Sequence, residues 1–277
     1  MVEKKRVLFV HGVQADPNQY KAQVVSRAGF DVLAPNMNTK YLAWTTIVAG
    51  LLLLLVCFWL PLVVVRKTRD RSQLERIGIW VATALALGLL LTVYLRVSTV
   101  FWRHKFASCV EDIHSQITHF KPHAIVASSF GAAVTVELMR IGAWGGPTVL
   151  LCPAVDRIHR FLRLEISIGR NTSQEMQEQL PEIPSGVAVS IVHGQGDWIA
   201  PYSDSERLFR DSKTKGQFID AGSDGHFLQS WNDPVHMRSL VLDTIDFTSA
   251  AAGVTSISAS YAASSSRFVE ERSSSVE

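Results

Sequence analysis

Three turns in this chain carry side chains that could transfer an acyl group. Ser129 lies between the short apolar run Ala124-Ile125-Val126-Ala127 and the helix-forming stretch Ala132 to Arg140. A nucleophilic serine needs a sharp strand-to-helix turn that lifts its hydroxyl clear of the backbone, with small residues two before and two after it. Ser129 has Ala127 and Gly131 in those places, whereas Ser128 would have Val126 and Phe130. The G-x-S-x-G pattern is met in relaxed form, and taken alone the stretch also suits an ordinary strand-to-helix turn. Asp197 closes His193-Gly194-Gln195-Gly196-Asp197, and His226 stands in Ser223-Asp224-Gly225-His226-Phe227. Serine is a weak nucleophile at neutral pH, so it needs an imidazole to take its proton and a carboxylate to fix that imidazole's tautomer. Asp197 is also suited to capping the helix after its turn, and His226 to a plain loop position.

The elements that must position these groups follow from hydrophobic period and turn residues. Val7 to Val10 is a continuous apolar strand ending in His11-Gly12, as a buried parallel strand does. Pro17 opens a helical stretch with Tyr20, Val24 and Ala28 in phase, and Phe30 to Ala34 is a second strand. Further strands are expected over Ala124–Ala127, Thr148–Cys152, Val187–Val192 and Gln217–Asp220, with a closing helix over Pro234–Phe247. Six strands alternating with helices imply an α/β fold with a mostly parallel sheet covered on both faces, whose ligands sit at the carboxyl ends of strands. Asp156 to Pro184 reads as a solvated helical segment, or as a small cap over the site; beyond Ser249 the Ala/Ser-rich tail, 249–277, reads as disordered.

A different kind of sequence interrupts this pattern before the Ser129 strand. Ala43 to Val65 gives 23 residues without a charge, and Ile77 to Leu95 gives 19 more. Each can cross a hydrocarbon core of about 30 Å as a helix, and Trp44, Trp59, Trp80 and Tyr94 lie toward the ends, where amphipathic rings favour the interface. The spacing predicts a transmembrane hairpin, 43–65 and 77–95, joined by the charged loop Arg66 to Arg76. The alternative, a helix pair in a soluble core, leaves these segments no polar face. Arg103 to Phe120 then returns as an amphipathic helix with Phe106, Val110, Ile113 and Ile117 on one stripe.

Composition narrows the partners. A net charge of +2 over 277 residues, with no long basic block, argues against nucleic acid. Cys57, Cys109 and Cys152 are widely spaced and odd in number, which does not suit a disulfide scaffold. His114, His119 and His123 do not converge on a metal site, and no metal or cofactor is expected. His11 and His193 read as structural hydrogen-bonders, and Asn171-Thr172-Ser173 as a chance glycosylation match.

Taken together, VLFVHG at the first strand, ASSFG at the serine turn, VHGQGDWIAP around the aspartate and DGH at the histidine resemble the α/β-hydrolase superfamily, in particular its small, nearly capless esterase-like members. The chain order Ser, Asp, His is the order of that superfamily. The resemblance implies a hydrolase domain over 1–40 and 103–248, with Ser129 as nucleophile, His226 as general base then acid, and Asp197 as its orienting partner. It implies an oxyanion hole from the backbone N–H groups of Val13 and Phe130. The expected function is a membrane-anchored serine hydrolase that cleaves a small ester or thioester, including lipid-derived ones, through an acyl-enzyme. The alternative is an inactive scaffold that keeps the fold. A transporter role is disfavoured because neither apolar helix carries an internal charge. Both termini and the hydrolase domain are expected on one side of the bilayer, the cytosolic side, since no signal peptide is seen and the cysteines are unpaired.

Overall fold

The computed structural model describes residues 4–13, 20–69, 71–163, 181–212 and 214–249. Six strands form one sheet: β1 (Arg6–Val10), β2 (Asp31–Leu33), β3 (Ala124–Ser128), β4 (Thr148–Leu151), β5 (Ala188–His193) and β6 (Lys215–Asp220). Their order is β2-β1-β3-β4-β5-β6, and every pairing is parallel. The expected α/β class is therefore met with a fully parallel sheet. The order reverses between β1 and β3, which opens a crevice at the carboxyl ends of those two strands.

Side-chain alternation builds a core on each face. Leu8, Val10, Ile125, Ala127, Leu150, Val189 and Ile191 face one way, and Val7, Phe9, Ala124, Val126, Val149 and Val192 face the other. The second face is covered by α1 (Tyr20–Arg27) and by α7 (Pro234–Ser249), which brings Met237, Leu240 and Val241. The first face is covered by α3 (Gln73–Phe120), α4 (Phe130–Arg140), α5 (Val155–Arg163) and α6 (Tyr202–Asp211). The strands fall within two residues of their expected bounds, and α6 is the helix expected after the Asp197 turn. Residues 14–19, which include Pro17, residues 164–180 of the expected segment Asp156 to Pro184 with its Asn171 match, and residues 250–277 of the tail lie outside the described residues; the start of the Asp156 segment is α5, whose Ile158, Phe161 and Leu162 pack against the core.

One helix and half of another stand apart from the sheet. α2 (Lys40–Thr68) starts shortly after the carboxyl end of β2, and α3 returns from it as one helix of 48 residues. The apolar stretch 77–95 and the amphipathic stretch 103–120, expected as separate helices, are thus a single continuous rod. Its start is set by Ser72, whose hydroxyl accepts from the Glu75 N–H while Glu75 accepts from the Ser72 N–H, a capping box. Its end is set by Lys121 in the left-handed region (φ 50°), followed by Pro122. The far half buries Thr99, Trp102, Phe106, Cys109 and Ile113 against the sheet, while the near half and α2 expose most of their leucines, Leu85 at 70% and Leu54 at 65%. Tyr94 donates to the Thr46 carbonyl (2.7 Å) and Trp102 Nε1 to Thr46 Oγ1 (3.2 Å), tying the two helices at their base.

The approach of α4 to β1 is closest at Gly131, where any Cβ would overlap the carbonyl oxygens of Val10 and His11. Overpacking of this kind costs about 1 to 3 kcal/mol, and more when the obstacle is rigid backbone. Gly131→Ala is therefore expected to lower unfolding stability by about 3 kcal/mol or more. The check is the urea midpoint of the detergent-solubilised protein; an unchanged midpoint would show that α4 and β1 can separate at no cost.

Candidate active site

The three residues singled out by their turns meet at the carboxyl edge of the sheet. Ser129 joins β3 to α4 with φ 55° and ψ −117°, a conformation that L-residues rarely adopt and that holds its hydroxyl out of the turn. The turn is over-determined by its neighbours: the Ser129 N–H donates to the Leu151 carbonyl (3.1 Å), and the Ser129 carbonyl accepts from Ala132 and Ala154. Gly12 lies against it so closely that a Cβ there would sit 3.2 Å from Ser129 Cβ.

His226 bridges the other two residues. Ser129 Oγ donates to His226 Nε2 (2.8 Å), and His226 Nδ1 donates to Asp197 Oδ2 (2.6 Å). The tautomer follows from the partners, since the carboxylate can only accept. Asp197 is 6% exposed. Its Oδ1 accepts from the N–H groups of Ile199 (2.8 Å) and Ala200 (2.9 Å), and its Oδ2 also lies 3.1 Å from His193 Nε2. Burial alone would raise the Asp197 pKa, but hydrogen bonds from His193, His226 and the Ala200 N–H outweigh it and hold the carboxyl well below the usual carboxylate range. The site thus keeps a carboxylate ionised in a place that would otherwise neutralise it.

The loops that carry Asp197 and His226 are clamped together. Gly196 N–H donates to the Asp224 carbonyl (3.1 Å) and Gln195 N–H to the Gly222 carbonyl (2.7 Å). A Cβ on Gly194 would overlap the Asp224 carbonyl, so the Gly-Gln-Gly spacing of the sequence serves this close approach. Asp197 also ties its own turn through Ile199 and Ala200, both ahead of α6; the N-cap of α6 is Pro201, so Asp197 does not cap that helix.

Further residues surround the three. His193, read as structural, reaches Asp197 and the Ala200 carbonyl (3.0 Å) with Nε2, while Nδ1 pairs with Ser205 Oγ (2.6 Å). Cys152, at φ 43°, is fully buried beside Asp197 and His226; burial above all pushes its thiol up to about 12, so it stays neutral. Cys152, Asp197 and His226 bring three possible ligand atoms within 4.8 Å of one another. That donor set suits a cation poorly, since Asp197 and His226 are engaged in the proton-carrying hydrogen bonds and the thiol is protonated. Lys21 of α1 is 7% exposed; burial lowers its pKa, against the opposing charges of Asp197 and Asp224. Its signal was available in the sequence, because it shares the buried stripe of Val24, Val25 and Ala28. His11 sits beneath the β1 turn, donating from Nδ1 to the Gly12 carbonyl (2.9 Å) and accepting the Met37 N–H at Nε2 (3.3 Å). Val13 follows in that turn, and Phe130 occupies the first position of α4, where a backbone N–H has no partner within the helix.

No protein-family model matches the sequence, and no curated relative matches it. Among solved structures the chain is similar to alpha/beta hydrolase domain-containing protein 10 from mouse, at 13% identity and a TM-score of 0.49 over 88% of this chain and 92% of that one. It is also similar to an alpha-beta serine hydrolase homologue from Coxiella burnetii, at 10% identity and a TM-score of 0.45 over 87% and 85%. A third similarity is to Est1E from Butyrivibrio proteoclasticus, at 12% identity and a TM-score of 0.44 over 88% and 89%. The strand order, the parallel pairing and the strained turn at Ser129 make the architecture of this chain α/β-hydrolase-like.

Proposed function

We propose that this chain is a membrane-anchored serine hydrolase that cleaves a carboxylic ester or thioester through an acyl-enzyme at Ser129. The observation that carries this reading is the unbroken path of hydrogen bonds from Asp197 through His226 to Ser129 Oγ. Ser129 Oγ attacks the acyl carbon while its proton passes to His226 Nε2, and Asp197 stabilises the imidazolium that forms. The Phe130 and Val13 N–H groups donate to the acyl oxygen and stabilise the charge that develops on it. Collapse breaks the bond to the leaving oxygen or sulfur, which takes the proton from Nε2. Water then attacks the acyl carbon, its proton goes to Nε2, and the acid departs as the proton returns to Ser129 Oγ.

The anchoring half of the proposal rests on α2 and α3. A soluble core helix buries its apolar residues, but the apolar windows of both helices are wholly unburied. Such a surface is unsuited to water and suited to hydrocarbon.

The first test is fluorophosphonate labelling of detergent-solubilised full-length protein. Wild type is expected to label and Ser129→Ala not to, with kcat/KM on short acyl esters falling on the order of 10³-fold or more. If wild type resists the probe, the fold stands without this chemistry and the scaffold reading replaces it.

A second test uses the ionised Asp197. Because its folded pKa lies below the unfolded value, the carboxylate contributes stability that is fully present above about pH 4 and is lost as the pH falls below that toward the folded value. The urea midpoint of wild type is therefore expected to drop more steeply than that of Asp197→Asn between about pH 5 and pH 3. Parallel declines would remove Asp197 as the linked group. At neutral pH the same variant is expected to lose about 10⁴-fold in kcat, since an amide leaves the imidazole in the wrong tautomer.

A further inference from the structure

The carboxyl edge of the sheet carries both the Ser129 site and the hairpin. α2 leaves that edge after β2, and α3 comes back to it before running down the sheet to the amino end of β3. The His123 N–H, just past the end of α3, donates to the Arg6 carbonyl at the start of β1, which fixes that end of the rod at the amino edge. The Cys109 thiol points to the carbonyl of Met37, which lies beyond the carboxyl end of β2. Residues 77–95 therefore project past the carboxyl edge.

The same rod gives a height. Trp102 and Phe106 lie seven and eleven residues beyond Leu95, so their levels are about 10 and 16 Å past the last residue of the apolar stretch. The ring of Phe130, which directly follows Ser129, packs edge-on against both, with centroids 6.0 and 5.8 Å away. A headgroup layer is roughly 5 to 8 Å deep.

Exposed apolar side chains outside the two long helices follow the same polarity. Among the described residues these are Tyr20, Ile141, Trp198, Phe227 and Val235. Tyr20 and Val235 open α1 and α7 at the carboxyl edge, and Trp198 (84% exposed) and Phe227 (67%) adjoin Asp197 and His226. Ile141 alone lies at the amino edge, after α4.

We infer that the carboxyl edge is seated on the bilayer leaflet that the hairpin enters, with Trp198 and Phe227 in its headgroup layer, and that the substrate is an acyl-lipid ester drawn from that leaflet. The inference rests on the hydrolase and membrane readings of the preceding subsection. The acyl carbon passes from the lipid oxygen to Ser129 Oγ, the lipid alcohol leaves with the proton held by His226, and water releases the fatty acid. Anchoring supplies such a substrate at high effective concentration.

The test uses full-length protein in phosphatidylcholine vesicles. For orientation, Cys57→Ser protein carries a bimane at Phe227→Cys or at Lys121→Cys, the latter an exposed position at the amino edge, and the vesicles carry a headgroup nitroxide. Cys109 and Cys152 are buried and do not compete for the label. Loss of fluorescence at position 227 and none at 121 is expected; equal quenching, or quenching at 121 alone, overturns the seating. For the substrate, wild type is expected to hydrolyse resorufin palmitate in its own vesicles about 10²-fold faster than the same ester in separate vesicles. Hydrolysis of resorufin acetate with the bilayer palmitate left intact overturns the lipid substrate while leaving the hydrolase reading in place. Failure of fluorophosphonate labelling removes the hydrolase reading and the substrate with it, and the quenching pattern still decides the seating.

Discussion

A carboxylate withdrawn from water loses its hydration and must find donors to replace it, and the arrangement of the carboxyl edge follows from meeting that need at Asp197. Two backbone N–H groups come from its own turn, and two imidazoles come from β5 and from the loop after β6. Each supplier requires the next: the His226 loop reaches Asp197 only because Gly194 and Gly196 let Asp224 approach, and His193 is aimed by Ser205 on α6. With the carboxylate saturated, His226 has one tautomer and one orientation, which leaves Nε2 for Ser129. The strained serine turn is supported from below by Leu151 and from behind by Gly12, so both partners arrive already fixed. This is preorganisation built from packing and hydrogen bonding.

Much of this was legible in the sequence because it is written in short-range terms. The apolar runs at Val7–Val10 and Ala124–Ala127 are too short and too uniformly apolar for half-exposed elements, and both are central strands. The serine turn and the Gly-Gln-Gly-Asp loop each carry glycines where backbones nearly touch. What could not be read is the set of contacts made across sequence distance. Nothing near His193 announces Asp197 as its partner rather than a backbone group, and nothing near Cys152 announces the site beneath which it lies. The continuity of α3 was obscured by a change of pattern, from apolar all round to a single apolar stripe, with Arg96 and Arg103 between them. A signal was present all the same: no glycine or proline occurs from Leu89 to Lys121, so no residue there would end a helix.

The joint between hairpin and sheet is a packed one. Trp102 and Phe106 meet Phe130 edge-on, and Phe130 directly follows Ser129. Because α3 runs without interruption from the exposed apolar stretch to the buried stripe, no hinge separates the two parts. The hydrolase-like domain and the hairpin therefore share a structural element, and the serine turn is packed on it.

The long rod also bears on how the chain finds its fold. The central strand β3 must pair with β1 across residues 11 to 123, and as a flexible loop that stretch would have to be closed at an entropic cost before any pairing rewarded it. α2 and α3 instead pack against each other through neighbouring turns, and that local hairpin folds the connection back on itself. Once the hairpin has formed, the separation of β1 and β3 along the sequence no longer measures the search between them. An interruption that looks like a burden on the domain thus acts as a splint during its assembly.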